Sequence, residues 1–225
     1  MLTIYTRLGT DMVTIHVGTG EQQQKFVLHK KLLSSKALVF GKMFNSGFQE
    51  GLSQSTTLPE DNPKIFALFV DWVYLNTLLV LPLTDKDKET ASEAPRSFPD
   101  LFSFGDKYCV GQLCDAIMDA TLLVGKRFDG LAGYTMMEDS YRNTRPGSKP
   151  RLYVLRSYIY KTKGARGPSA WDHEKFHELA LKCNDLLFDF FAETVSNRNS
   201  NTWATARNPN AFPRCDYHQH GKDQE

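Results

Sequence analysis

Hydrophobic and polar positions alternate near the start of the chain, which predicts two strands. Met12 to Val17 alternates apolar and polar side chains, as a half-buried strand does. Gly18 to Glu21 supplies a turn, because glycine adopts positive φ at little steric cost, and Lys25 to Leu28 resumes an extended pattern. These segments together predict a β-hairpin.

After His29 the apolar residues recur at three- and four-residue steps, which predicts two short helices ending near Gly47. Thr56 to Leu58 is predicted to be a brief third strand. A helix is then predicted to start with Asn62 as its N-cap and Pro63 in its first turn. This helix is apolar on almost every side, which is typical of a buried helix.

The rest of the chain is predicted to be mainly helical. Thr84 to Ser97 is polar and charged and indicates a surface insertion, while helices are predicted over Phe98 to Tyr108, Gly111 to Val124 and Arg151 to Tyr160. One long helix is predicted over Asp172 to Ser196. Its stripe is predicted to pack in the core, with an exposed groove-binding helix as the alternative. The stripe consists of Phe176, Leu179, Ala180, Cys183, Leu187, Phe190, Phe191 and Val195.

Composition narrows the function classes. The chain has 225 residues, and its 41% hydrophobic content is enough for a real core. Its 27 basic and 26 acidic residues leave a net charge of +1, which disfavours nucleic-acid binding. The sequence contains no apolar run of the length that a membrane span needs, and no charged leader before an apolar segment. Four scattered cysteines favour a reducing compartment, so we expect a cytoplasmic or nuclear protein that binds neither nucleic acid nor membrane.

The order and spacing of these motifs resemble the BTB/POZ domain. The pattern runs from an Asp-x-Val strand through Phe-x-x-His-Lys and Phe-x-x-Met-Phe to Phe-x-Glu, a long apolar helix and Asp-Lys-Tyr-x-Val. Among BTB proteins, the short ones of filamentous fungi look most similar. The matching residues are Asp11, Val13, Val17, Phe26, His29, Lys30, Phe40, Met43, Phe44, Phe48, Glu50, Leu58, Phe69, Tyr74, Asp106, Lys107, Tyr108, Val110 and Leu113.

The resemblance implies an α+β fold in which a small three-stranded sheet is flanked by a cluster of helices. The BTB/POZ domain is expected over residues 11–125, followed by a helical extension over 126–196. Residues 197–225 are rich in Asn, Arg, Ser and Thr, so we expect a loosely ordered tail there. No repeat or zinc-finger spacing occurs in residues 126–225, so the attachments common in this family are not recognised.

The resemblance also implies a role in holding proteins together. In BTB adaptors of cullin-type ubiquitin ligases, a hydrophobic-x-Glu motif meets the cullin, and Phe48, Gln49 and Glu50 stand at that place. Phe48 is expected on a loop where a partner covers it, with the helix from Ile65 to Tyr74 nearby. The alternative for the motif is that Phe48 packs into its own core and Glu50 caps a turn. A homo-oligomeric scaffold or transcriptional co-regulator is the alternative function.

Other positions of the motif are expected to be structural. Asp11, His29 and Lys30 are predicted to make hydrogen bonds or an ion pair that fixes the fold. Trp72 and Tyr74 belong to the helix that is predicted to be buried.

No residue cluster indicates catalysis or a bound cofactor. The sequence has no Gly-x-Ser-x-Gly elbow, phosphate loop or His-Glu-x-x-His motif, so we expect a non-enzymatic protein without a cofactor. Cys215, His218 and His220 lie close together, but three ligands in one short segment lack a second pair to close a zinc site. No metal is therefore expected, unless His173 or His177 approaches in space.

Overall fold

The computed structural model describes residues 8–78, 97–127, 130–163, 173–196 and 207–219. The chain divides into two compact units. Unit 1 comprises residues 1–79 and 104–114, and unit 2 comprises residues 80–103 and 115–225. The predicted surface insertion lies outside the described residues except for Ser97.

Unit 1 contains a three-stranded sheet of β1 (Met12–Val17), β2 (Gln24–His29) and β3 (Ser55–Leu58), in the order β2-β1-β3. β1 and β2 are antiparallel, which confirms the predicted hairpin, and β1 and β3 are parallel. The alternation of β1 places Val13, Ile15 and Val17 in the core. Because successive side chains of a strand point to opposite faces, one face of the sheet is buried.

Three helices of unit 1 lie between β2 and β3, namely α1 (Lys30–Lys36), α2 (Leu38–Phe44) and α3 (Gln49–Ser53), and α4 (Pro63–Leu75) follows β3. The predicted cap of α4 is confirmed, since the Lys64 N–H donates to the Asn62 side chain at 2.9 Å. The core around α4 is aromatic. Its rings include Phe40, Phe66, Phe69, Phe104 and Tyr108.

Two helices supply residues to both units, namely α5 (Phe98–Lys107) and α6 (Gly111–Arg127). Unit 2 continues with α7 (Tyr134–Asn143), α8 (Lys149–Lys163), α9 (His173–Lys182) and α10 (Asn184–Ser196). Two short 3-10 turns follow at Pro209–Ala211 and Arg214–Tyr217. The sheet with its helices and helical extension confirms the predicted α+β fold class, and none of the described helices is long and apolar enough to cross a membrane.

The prediction of one helix over Asp172 to Ser196 was wrong. Asp172 lies outside the described residues, and the helix is interrupted at Cys183, which separates α9 from α10. Asn184 and Asp185 follow the break, and such side chains disfavour helix interiors and favour helix starts.

The predicted inward stripe is therefore only half correct. Phe176, Leu179 and Ala180 of α9 are buried as predicted, and Leu186 is the fully buried residue of α10. Of the stripe members on α10, Phe190 is half-buried and packs on Phe176 with ring centroids 5.6 Å apart. Leu187, Phe191 and Val195 are exposed, together with Phe188.

Residues 207–219 differ from the loosely ordered tail that was expected there. Tyr217 is fully buried and packs edge to face on Tyr153 of α8, with ring centroids 5.7 Å apart. The Tyr217 hydroxyl donates to the Pro209 carbonyl at 3.2 Å. Tyr217 therefore attaches this otherwise polar segment to α8, which composition alone did not indicate.

Candidate protein-interaction site

The side chain of Phe48 is 76% exposed. A loop was predicted for Phe48. Instead, Phe48 occupies the N-cap position of the short helix α3. Leu52 lies one turn later, its N–H donating to the Phe48 carbonyl at 3.0 Å, and is 80% exposed. A large aromatic side chain exposed beside a leucine is typical of a surface that another protein covers.

Side-chain hydrogen bonds hold the turn that presents Phe48, here called the Phe48 turn and comprising residues 45–54. The Asn45 amide donates to the Gly41 carbonyl at 2.7 Å, and the Ser46 hydroxyl donates to the Met43 carbonyl at 2.8 Å. At the other end, the Gln54 amide donates to the Phe44 carbonyl at 3.0 Å. The exposed ring is thus presented on an anchored backbone, which lowers the entropy cost of binding.

Gly51 is needed for the shape of the Phe48 turn. A Cβ added to this glycine would lie 1.9 Å from the Ser46 carbonyl oxygen. Backbone atoms cannot move aside as the end of a flexible side chain can, so only glycine allows this approach. Neither Gly51 nor Leu52 was predicted from the sequence to belong to the site.

Glu50 and Gln49 lie in the first turn of α3. A carboxylate there is stabilised by the positive end of the helix dipole. Glu50 is half-buried and Gln49 is exposed, so the motif presents an apolar and a polar contact side by side. The structure brings all three predicted partner-binding residues, Phe48, Gln49 and Glu50, into one turn.

Helix α4 lies mainly in the core, and its predicted part in the binding surface stays a prediction for its exposed residues. Five of its apolar side chains are buried, and its exposed residues include Asp71, Tyr74 and Leu75. Trp72 is buried and stacks on Phe69 with ring centroids 6.3 Å apart. Its position agrees with a structural role.

The predicted structural residues near β1 are joined mainly through the backbone. The Lys30 N–H donates to the Asp11 carbonyl at 2.9 Å, while the Asp11 side chain is exposed. The Tyr74 hydroxyl accepts a hydrogen bond from the His29 N–H at 3.1 Å and lies 2.8 Å from His29 Nδ1. His29 and Tyr74 therefore link the start of α1 to the end of α4.

A polar cluster that the sequence analysis missed fixes the C-terminal end of α5. Lys107 Nζ lies 3.0 Å from Asp61, and the Tyr108 hydroxyl donates to the same carboxylate at 2.6 Å. Burial, reinforced by Asp61, raises the pKa of the Tyr108 hydroxyl, so this tyrosine stays protonated as a donor. The Lys-Tyr pair of the motif thus binds the segment that precedes α4.

The Cys215 and His218 segment makes contacts within unit 2. His218 Nε2 lies 3.2 Å from Asp119 Oδ1, and the Gln219 N–H donates to Asp115 at 2.6 Å. Among the described residues, which exclude His220, no three metal-ligating side chains are grouped to hold an ion. His173 and His177 lie exposed on α9.

Comparison with known proteins agrees with the fold and with the motif. The family model of the BTB/POZ domain matches residues 10–117. None of the curated proteins matches the chain. BTB/POZ domains are protein-protein interaction modules, generally without enzymatic activity, and they also mediate self-association. Residues 10–117 of this chain are therefore a BTB/POZ domain.

Proposed function

We propose that the chain is a non-enzymatic interaction protein that binds a cullin through Phe48, Gln49 and Glu50 and acts as a substrate adaptor of a cullin-type ubiquitin ligase. The observation that carries this proposal is the exposed Phe48 ring on an anchored turn. Leu52 widens the apolar contact, and Glu50 supplies a charge at its edge. The proposed location is the cytoplasm or the nucleus. We also propose that the chain is related to the short BTB proteins of filamentous fungi.

The Phe48 ring is exposed, but the backbone that carries it is ordered. An aromatic ring on a disordered loop would lose much of its binding free energy to ordering of the loop. The hydrogen bonds of Asn45, Ser46 and Gln54 remove part of that cost before a partner arrives. Interfaces draw most of their affinity from a few such buried anchors, and aromatic residues are enriched among them.

The test is calorimetric titration of the full chain with the N-terminal region of a cullin from the same organism. Wild-type protein should bind with micromolar or stronger affinity, and a Phe48→Ala variant should lose at least about tenfold. Leu38→Ala is the matched control, because Leu38 is also an exposed apolar residue of unit 1 but lies outside the Phe48 turn. Equal binding by wild type and Phe48→Ala would contradict the proposal.

A second candidate function, a homo-oligomeric scaffold or transcriptional co-regulator, rests on the outer face of the sheet. Met12 and Val27 are exposed apolar residues on adjacent strands. Val27 pairs with Thr14, two residues along β1 from Met12, so both lie on the same face. A second copy could cover them. Sedimentation equilibrium separates the two functions: a dimer that Val27→Ser converts to a monomer, together with no cullin binding, would favour the scaffold.

A further inference from the structure

Helix α10 in unit 2 presents an apolar stripe to solvent, defined here as Phe188, Phe191 and Val195. These residues recur at three- and four-residue steps and are 75%, 61% and 62% exposed. Two adjacent exposed phenylalanines on one helix face are more than the scattered apolar residues of an ordinary surface. The α10 stripe therefore has the character of an interaction surface.

A cavity of about 190 Å³ is lined by residues of α8 and α10. Leu152, Leu155 and Ala192 give it apolar walls, and Asp189 and Glu193 reach it from α10. Its volume is below the usual range for pockets that hold drug-sized ligands, and it matches one long side chain better. An aliphatic stem with a polar end suits such a lining.

Arg151 lines the same cavity and is only 6% exposed. Its Nη1 donates to Asp185 at 3.0 Å, and its Nη2 donates to the carbonyls of Tyr141 at 3.0 Å and Thr144 at 2.5 Å. Its buried Nε–H has no acceptor among the described residues. Since buried donors are nearly always satisfied, a ligand that enters the cavity should bring an acceptor.

The charges at the cavity favour a cation as the entering group. Glu193 is paired with Arg156 at 2.7 Å, and Asp185 is paired with Arg151. Asp189 differs: it accepts a hydrogen bond from the Tyr141 hydroxyl at 3.0 Å, and within the described residues no cation bridges it. The carboxylate of Asp189 therefore has acceptor capacity and negative charge to offer.

The same charges disfavour a second copy of α10 as the occupant. This helix contains three carboxylates and no lysine or arginine, so two copies placed together would bring like charges close. An anionic ligand is disfavoured by Asp189 and Glu193 in the same way. A basic amphipathic segment satisfies both the charge and the apolar stripe.

We propose that the α10 stripe and the adjoining cavity bind an amphipathic segment of a partner protein. Apolar side chains of that segment pack on Phe188, Phe191 and Val195. One Lys or Arg side chain of the segment enters the cavity and pairs with Asp189. A carbonyl of that segment accepts from Arg151 Nε. This surface is independent of the Phe48 turn and does not require cullin binding. In an adaptor, it would be a second contact with its own specificity.

The test is selection of a phage-displayed library of random short peptides on the full-length chain, with counter-selection on Phe191→Ser. The selected peptides should combine apolar residues at helical spacing with a Lys or Arg. Their affinity, measured by fluorescence anisotropy, should fall at least about tenfold on Phe191→Ser and on Asp189→Asn. Asp189→Asn keeps an acceptor for Tyr141 while removing the charge, and Phe191→Ser changes only an exposed side chain.

Matched controls are Leu123→Ser, an exposed apolar residue of α6, and Glu178→Gln, an exposed acid of α9. Both should bind the selected peptides as wild type does, and so should Phe48→Ala. Three results would overturn the proposal. These are selected peptides without a basic residue, equal binding by Asp189→Asn, and failure to select any peptide that distinguishes wild type from Phe191→Ser. The last result would show that the stripe does not bind a short amphipathic segment.

Discussion

The Phe48 turn and the α10 stripe are both exposed apolar surfaces, but they are built in different ways. The Phe48 turn is a short bend whose shape depends on local backbone contacts, among them the close approach of Gly51 to Ser46. The α10 stripe is one face of a regular helix, and a buried polar network around Arg151 and Arg156 holds that helix in place. In both cases, specific contacts hold the backbone that exposes the apolar side chains. Such contacts distinguish a candidate binding surface from apolar residues that are merely scattered over the surface.

The two surfaces also differ in charge. Phe48 stands next to a single acid, Glu50, whereas α10 places three acids along its length, two of them paired with arginines of α8. A partner of the Phe48 turn is therefore selected chiefly by shape. A partner of the α10 stripe is selected by shape and by opposite charge, so its association should weaken more with added salt.

The largest effect is expected from Arg151→Met, which tests the support of the α10 stripe. The change leaves the buried carbonyls of Tyr141 and Thr144 without their donor, and the free energy of unfolding should fall by about 2 to 5 kcal/mol. Urea denaturation followed by circular dichroism measures the loss. Hydrogen exchange should accelerate in α7, α8 and α10, and unchanged exchange there would show that the network does not hold the helix.

A smaller effect is expected from Gly51→Ala, which tests the support of the Phe48 turn. The new Cβ would clash with the Ser46 carbonyl, so the free energy of unfolding should fall by about 1 to 3 kcal/mol and partner binding should weaken. Gly47→Ala is the matched control, since a Cβ there meets nothing within 4 Å. Equal stability of the two variants, measured by thermal denaturation, would contradict the role given to Gly51.

High pH tests the packing of Tyr217 in unit 2, which contains the α10 stripe. Burial raises the pKa of Tyr217 to about 12, against about 10 in an unfolded chain. The unfolded state loses this proton first, so stability present below pH 10 is lost as the pH rises toward 12, by about 1.4 kcal/mol per pH unit at most. Tyr217→Phe should flatten this part of the stability curve. An identical slope in both proteins would show that Tyr217 does not titrate on unfolding.

The smallest effects on stability are expected from Phe48→Ser and Phe191→Ser. Both side chains are largely exposed, so each substitution should change the free energy of unfolding by less than about 0.5 kcal/mol. Each variant should nevertheless lose its own partner and keep the other one. A loss of more than 2 kcal/mol, or a loss of both partners from one change, would show that the ring supports the fold instead.

Unit 1 was more predictable from sequence than unit 2, for physical reasons. The β1 alternation and the Asn62 cap are local signals whose consequences lie within a few residues. The side chains that α10 exposes depend instead on how it packs on α8, where its acids pair with Arg151 and Arg156, and residues so distant in sequence leave no local pattern. Tyr217 is similar, because the aromatic ring that it packs against is distant in sequence.

The candidate sites follow the same division. Phe48, Gln49 and Glu50 could be named from the motif, and the sequence could not decide whether the ring is exposed or buried. Gly51 could not be identified from the sequence, because its close approach to the Ser46 carbonyl depends on the shape of the turn. The cavity beside Arg151 could not be predicted, since it is formed by side chains from separate helices.

The central claim is that Phe48 and Glu50 form the partner contact of this BTB/POZ domain. The most direct measurement is calorimetric titration of the cullin N-terminal region into wild-type chain and into a folded Phe48→Ala/Glu50→Ala variant. The account predicts micromolar or tighter binding by wild type and none by the variant. Absence of binding by wild type, or equal binding by both proteins, would contradict it.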